Sequence, residues 1–127
     1  MGDVVGLHQI AQHVDELDRA VAFYRDVLEL PLLGRFDPPG LAFFDLGDTR
    51  LLLEPGAPSA LLYLRVDDPG ATLERLRAMN VVIEQDAHVI FSDAEGQFGP
   101  PGEDEVMGFF RDSEQNLVGL AGRRRPG

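Results

Sequence analysis

Seven side chains in this 127-residue chain are of types, and in places, that could do chemistry. His8, His13 and His88 carry the groups whose ordinary pKa lies closest to neutrality, so each can move a proton or ligate a metal. His88 sits in Asp86-Ala87-His88-Val89-Ile90, just ahead of a long polar stretch, and is the candidate acid/base or substrate contact; the alternative is a structural strand residue. Gln9 and Glu54 offer oxygen acceptors. Arg65 can hold a carboxylate or phosphate through paired, charge-assisted bonds, and Tyr63 two residues earlier can stack on a ring or donate a hydrogen bond. Either could equally be a surface residue with its stem laid on apolar ground. The chain has no cysteine, which removes thiolate sites and disulfides. It also lacks a glycine-rich phosphate loop, a nucleophile elbow and an HExxH pattern.

The elements that must position these residues come in two rhyming halves. GLHQIAQHVDELDRAVAFYRDVLEL at residues 6–30 is echoed by SALLYLRVDDPGATLERLRAMNV at 59–81. Val14-Asp15 recurs 52 residues later as Val66-Asp67, each closing an alternating run that leads into an amphipathic pattern. The first strand is predicted over about Val4 to Val14. In the helix after it Asp15 is the expected cap, and Leu17, Ala20, Val21, Tyr24, Val27 and Leu28 form one apolar stripe ended by Pro31. The second helix has Asp68 as cap, Pro69 at its first position, a stripe of Leu73, Leu76 and Met79, and Asn80 as its left-handed stop. Three strands follow each helix: about 32–36, 41–46 and 49–53, then 81–90, 105–111 and 117–121. The fold class expected is therefore α+β, two tandem βαβββ units with pseudo-twofold symmetry forming a cupped mixed sheet around a cleft. The units span about residues 4–55 and 59–121 of a single domain covering 1–127.

Strand alternation assigns faces. Gln9, Ala11 and His13 are predicted to face the cleft from the first unit and Leu61, Tyr63 and Arg65 from the second, while Ile10, Val14, Leu62, Leu64 and Val66 turn to the helices. Glu54 points inward by the same parity, and His8 has the wrong parity unless the register shifts by one. Gln12 lands on the helix side against the pattern, which suits a frayed strand end. The polar, Gly- and Pro-rich run between Phe91 and Asp104 is a lid over a site or a tolerated surface insertion. Arg123-Arg124-Arg125 at the end is expected to be a solvated tail.

A net charge of −11 opposes association with nucleic acid or an anionic membrane. No apolar stretch reaches the roughly 20 residues that span a bilayer, and the first residues lack a basic leader, so a cytoplasmic location is expected.

HQIAQHVDELDRAVAFYRDVLEL, LAFFDLGDTRLLLEP and MGFFRDSEQNLVGL together resemble the vicinal-oxygen-chelate superfamily, which includes glyoxalase I, extradiol dioxygenases and bleomycin-resistance proteins. The resemblance implies a homodimer and, in metal-using members, four ligands on the inner strands. Those positions fall here at Gln9, Leu52, Leu61 and Gly119, so a single amide oxygen survives among them. A catalytic divalent metal needs about three protein ligands with imidazole, carboxylate or thiolate character. The expectation is thus a small-molecule ligand bound in the cleft without the usual metal, through Gln9, His13, Glu54, Tyr63 and Arg65, with no cofactor and with His88 as the catalytic candidate. The alternative is a metal-dependent lyase, isomerase or dioxygenase with ligands relocated to Gln9, Glu54, His88 and His8.

Overall fold

A computed structural model describes residues 2–3 and 7–126. The proposed start of the first strand at Val4 to Gly6 lies outside the described residues. The chain divides into two compact units, residues 1–60 with 113–116, and residues 61–112 with 117–127. Each unit has the same plan. In the first, β1 (Gln9–His13), α1 (Leu17–Ala22), β2 (Leu32–Phe36), β3 (Leu41–Asp45) and β4 (Arg50–Glu54) give a sheet of order β1-β4-β3-β2. In the second, β5 (Leu62–Arg65), α2 (Pro69–Ala78), β6 (Ile83–Asp93), β7 (Glu103–Arg111) and β8 (Leu117–Arg124) give β5-β8-β7-β6. In both, the first strand runs parallel to the last and the remaining pairs are antiparallel. The two βαβββ units anticipated from the sequence are thus present as two four-stranded mixed sheets.

Each helix covers one face of its own sheet. Ala20, Val21 and Tyr24 are buried beneath α1, which packs on β3 and β4 and continues through one wider π-helical turn, Phe23–Val27. Leu73 and Leu76 are buried beneath α2, which packs on β6, β7 and β8. Met79, expected in that stripe, is instead exposed at the helix end, where Arg75 reaches its sulfur. Alternation on β7 is regular: Asp104, Val106, Gly108 and Phe110 are buried, while Glu105, Met107 and Phe109 lie half-buried on the opposite, open face.

The two helices start by different means. Asp68 accepts from the Ala71 N–H at 3.1 Å with Pro69 at the first turn, and Asn80 closes the segment at φ 65°. At α1 the cap position is Glu16, which makes no side-chain cap, and Asp15 turns away to His13 Nε2 at 2.9 Å. The carboxylate that takes the free N–H groups comes from 98 residues further on. Glu114 Oε1 accepts from the Asp15 N–H at 2.8 Å and from the Glu16 N–H at 2.7 Å, and Glu114 is clasped by Arg19 Nε at 2.6 Å. Burial raises the Glu114 carboxyl, but Arg19 and the two N–H groups outweigh it and hold its pKa down at about 2. In the same turn, the Asn116 amide donates to the His13 carbonyl at 2.8 Å and accepts from Ser59 Oγ at 2.6 Å.

Three boundaries differ from expectation. Gln12 is central in β1, opposite Leu53, and fully buried, with both amide atoms unpaired. The parallel pairing with β4 fixes it there, so it is no frayed end. The expected loop from Phe91 to Asp104 shrinks to residues 94–102, because β6 runs to Asp93 and β7 starts at Glu103. The C-terminal arginines do not form a free tail throughout. Arg123 is a strand residue opposite Glu105, with its side chain only 18% exposed.

Candidate functional site

On the open face of the second sheet, alternation aligns Tyr63 with Gly119 and Phe109, and Arg65 with Ala121 and Met107. The result is a hollow of about 650 Å³, walled by Tyr63, Arg65, Phe91, Phe98, Met107 and Arg123. That size lies within the range of small-molecule sites. Tyr63 and Phe109 meet edge to face at 5.8 Å between ring centroids, and Phe91 and Phe98 at 5.7 Å. Phe98 comes from the 94–102 hairpin loop and is 71% exposed, so much of its ring is free for a ligand.

That loop is held from beneath. Asp93 accepts from the Gln97 N–H at 2.8 Å and the Phe98 N–H at 3.0 Å, and pairs with Arg123 Nη2 at 2.9 Å. Arg123 also reaches Glu103 at 3.1 Å and Glu105 at 3.2 Å. The Phe98 N–H is the main influence holding the Asp93 carboxyl down at about 2, with the Gln97 N–H and Arg123 adding to it against the opposing cost of burial. Arg123 is therefore fully neutralised by carboxylates. The Arg65 side chain makes no hydrogen bond or ion pair among the described residues, and neither does that of Asp67, which also borders the hollow.

The first sheet presents a different face. Arg50 Nε donates to Gln9 Oε1 at 2.8 Å, Arg50 Nη2 lies 3.3 Å from His8 Nε2, and the guanidinium sits 5.3 Å from the Phe43 ring centroid. His13 is held at the other end of β1 by Asp15, whose hydrogen bond raises its pKa above the usual 6.5. Glu54 lies opposite His13.

The sequence-derived residues thus separate into groups. Tyr63 and Arg65 line the hollow of the second unit. Gln9 and His8 share Arg50, while His13 and Glu54 lie at the far end of the same strand pair. Four residues of strand put Gln9 and Glu54 about 13 Å apart, which is too far for one metal ion. His88 is exposed in β6 opposite Met107, with Nδ1 3.0 Å from the Asp86 carbonyl oxygen, and does not line the hollow. The relocated ligand set is therefore not assembled. Among the described residues no three His, Asp or Glu side chains are grouped to hold a metal.

The four positions singled out by resemblance do not fit a divalent ion either. The Gln9 oxygen carries an arginine N–H. Leu52 and Leu61 offer hydrocarbon. At Gly119 a Cβ would stand 2.9 Å from both the Phe109 and Tyr63 rings, so an added carboxylate side chain would have to displace a ring. Sequence reasoning missed Phe91, Phe98, Arg123 and Arg50 as site residues. Arg123 shares parity with Gly119 and Ala121, a signal that extending the last strand by two residues would have exposed.

Residues 6–120 match the Glyoxalase/Bleomycin resistance protein/Dioxygenase superfamily. No curated protein matches the chain. Among solved structures, a lactoylglutathione lyase from Agrobacterium tumefaciens aligns with TM-score 0.69 and 24% identity, over 94% of this chain and 95% of that one. TnmS3, an antibiotic binding protein from Streptomyces sp. CB03234, aligns with TM-score 0.69 and 22% identity, over 98% and 100%. A superfamily member from Sphaerobacter thermophilus DSM 20745 aligns with TM-score 0.72 and 15% identity, over 94% and 98%. At these identities the likeness is one of fold. With nearly the whole chain matched and both βαβββ units in place, this protein belongs to the glyoxalase/bleomycin resistance protein/dioxygenase superfamily.

Proposed function

We propose that this protein binds a small organic molecule in the hollow of its second unit and does so without a metal ion. The observation that carries the reading is the ring-lined hollow of about 650 Å³, together with the ring pair that fills the space at Gly119. Tyr63, Phe91, Phe98 and Met107 suit a flat apolar body, which gains from edge and face contacts and from the polarizable thioether. Arg65 supplies an uncommitted cation for an anionic group of the ligand, and Asp67 an acceptor for a hydroxyl or ammonium. The structural likeness to an antibiotic binding protein is compatible with such a role. Fold alone does not carry it, since one fold hosts many activities.

The test uses the chain's own reporter. There is no tryptophan and there are two tyrosines; Tyr24 is buried, whereas Tyr63 is 52% exposed in the hollow. A panel of flat aromatic compounds titrated into chelator-treated protein should change tyrosine fluorescence saturably at one equivalent, and Phe98→Ala should weaken that binding. One equivalent of tightly held zinc, nickel, manganese or iron in the pure protein, or binding that vanishes on chelation, overturns the reading.

A further inference from the structure

We propose that the open face of the first unit carries a second binding site, where the Arg50 guanidinium receives the carboxylate of a small amphiphilic acid and the adjoining hollow takes its hydrocarbon. The hollow measures about 300 Å³ and is lined by Leu33, Gly34, Phe36, Phe43 and Arg50. Leu33 is 58% and Phe36 54% exposed, so a contiguous apolar wall stands open beside a charge.

The charge is held in place without a carboxylate partner. Gln9 Oε1 at 2.8 Å, His8 Nε2 at 3.3 Å and the Phe43 ring at 5.3 Å orient the guanidinium without cancelling it. The carboxylate that should cancel it is Asp45, directly opposite Arg50 in the β3–β4 register. Asp45 Oδ1 instead accepts from the Gly47 N–H at 2.8 Å, and Arg50 has no ion pair among the described residues. A fixed guanidinium whose remaining N–H groups are open is ready for a carboxylate, and a desolvating apolar neighbour strengthens that bond. A single cation on a chain of net charge −11 favours a monoanion over a phosphate dianion. Gln9 occupies a position that the superfamily resemblance links to a metal ion. Here the same amide oxygen orients a positive centre that is covalently part of the chain. The site is built on the first sheet, whereas the hollow of the proposed function is built on the second.

The experiment titrates the intact protein with 3-phenylpropionate, its neutral amide and the corresponding amine, by calorimetry and by backbone amide shifts in NMR. Read from the shifts of β2, β3 and β4, the acid should bind at least roughly tenfold more tightly than the amide. Arg50→Gln should erase that preference and Arg50→Lys should keep part of it, thermal melts confirming that both variants fold. Equal binding of amide or amine, unchanged binding by Arg50→Gln, shifts confined to the second unit, or no binding at millimolar acid each overturns the proposal. So does a solution dimer that Leu33→Asp dissociates and the acid does not, which makes this face an interface between copies.

Discussion

The open faces of the two sheets use the same backbone plan to treat an arginine in opposite ways. In the second unit Arg123 is ringed by Asp93, Glu103 and Glu105, and its charge is consumed in fastening the 94–102 loop to the end of the strand. In the first, Arg50 is oriented by an amide, an imidazole and a phenyl ring, and its charge remains available. The lesson is that identical topology does not dictate whether a cation is structural or receptive; the charge of its nearest partners does. Two positions that the resemblance singled out also differ: the Gln9 amide oxygen takes an Arg50 N–H, whereas rings fill the space beside Gly119.

The most forceful way to break this comparison is Arg123→Ala. Three carboxylates lose their common partner, Asp93 is buried among them, and the Phe98 loop loses its tether. The melting temperature should fall by roughly 10 °C, and ligand binding in the second hollow should fall with it. Insensitivity in a thermal melt would show that the cluster is ornamental.

Glu114→Gln should cost about 2–3 kcal/mol, because a neutral amide cannot replace the carboxylate between Arg19 and the start of α1. The folded pKa of Glu114 lies at about 2, below its ordinary 4.5, and that of Asp93 at about 2, below 3.8. A carboxyl depressed by folding stabilises the native state above its unfolded value and loses that contribution as pH falls through the folded one. Wild-type stability should therefore decline between about pH 4.5 and 2, and the variant should decline less. Chemical denaturation across that range checks it.

Restoring a family carboxylate by Gly119→Glu should cost about 1–3 kcal/mol, since the Tyr63 or Phe109 ring must move, and should not create a metal site. Stoichiometric zinc uptake would contradict this. Gln12→Leu should stabilise by about 1–2 kcal/mol, because it removes two unpaired amide atoms from a fully buried position of similar volume. At the small end, Arg50→Gln should change stability by no more than about 0.5 kcal/mol, as exposed arginines without ion pairs contribute little. A large loss there would reclassify Arg50 as structural and dissolve the contrast with Arg123.

Much of the fold was legible because its signals are local. Asp68-Pro69 at the head of α2, Asn80 at its end, and the alternation that sent Tyr63 and Arg65 to the open face all act within a few residues. What resisted reading was set by partners distant in sequence. Asp15 looked like a cap, but the N–H groups at α1 are met by Glu114. Gln12 broke the pattern and is nevertheless buried, because register with β4 leaves it no other place. The polar run after Phe91 contained strand, since Asp93 and Glu103 pair across a shorter loop.

By itself the sequence determined the repeat and the βαβββ order, both properties of residue identity and periodicity, and its resemblance to the superfamily marked Gln9, Leu52, Leu61 and Gly119 as the positions to inspect. Tertiary structure alone decided which cation is free and which is neutralised, what fills the space at Gly119, and that the ring-lined hollow draws on β5, β6, β7, β8 and one hairpin loop. The physical reason is distance along the chain. Charge pairing and packing depend on which residues meet in space, and in this protein the decisive partners lie from about 20 to nearly 100 residues apart.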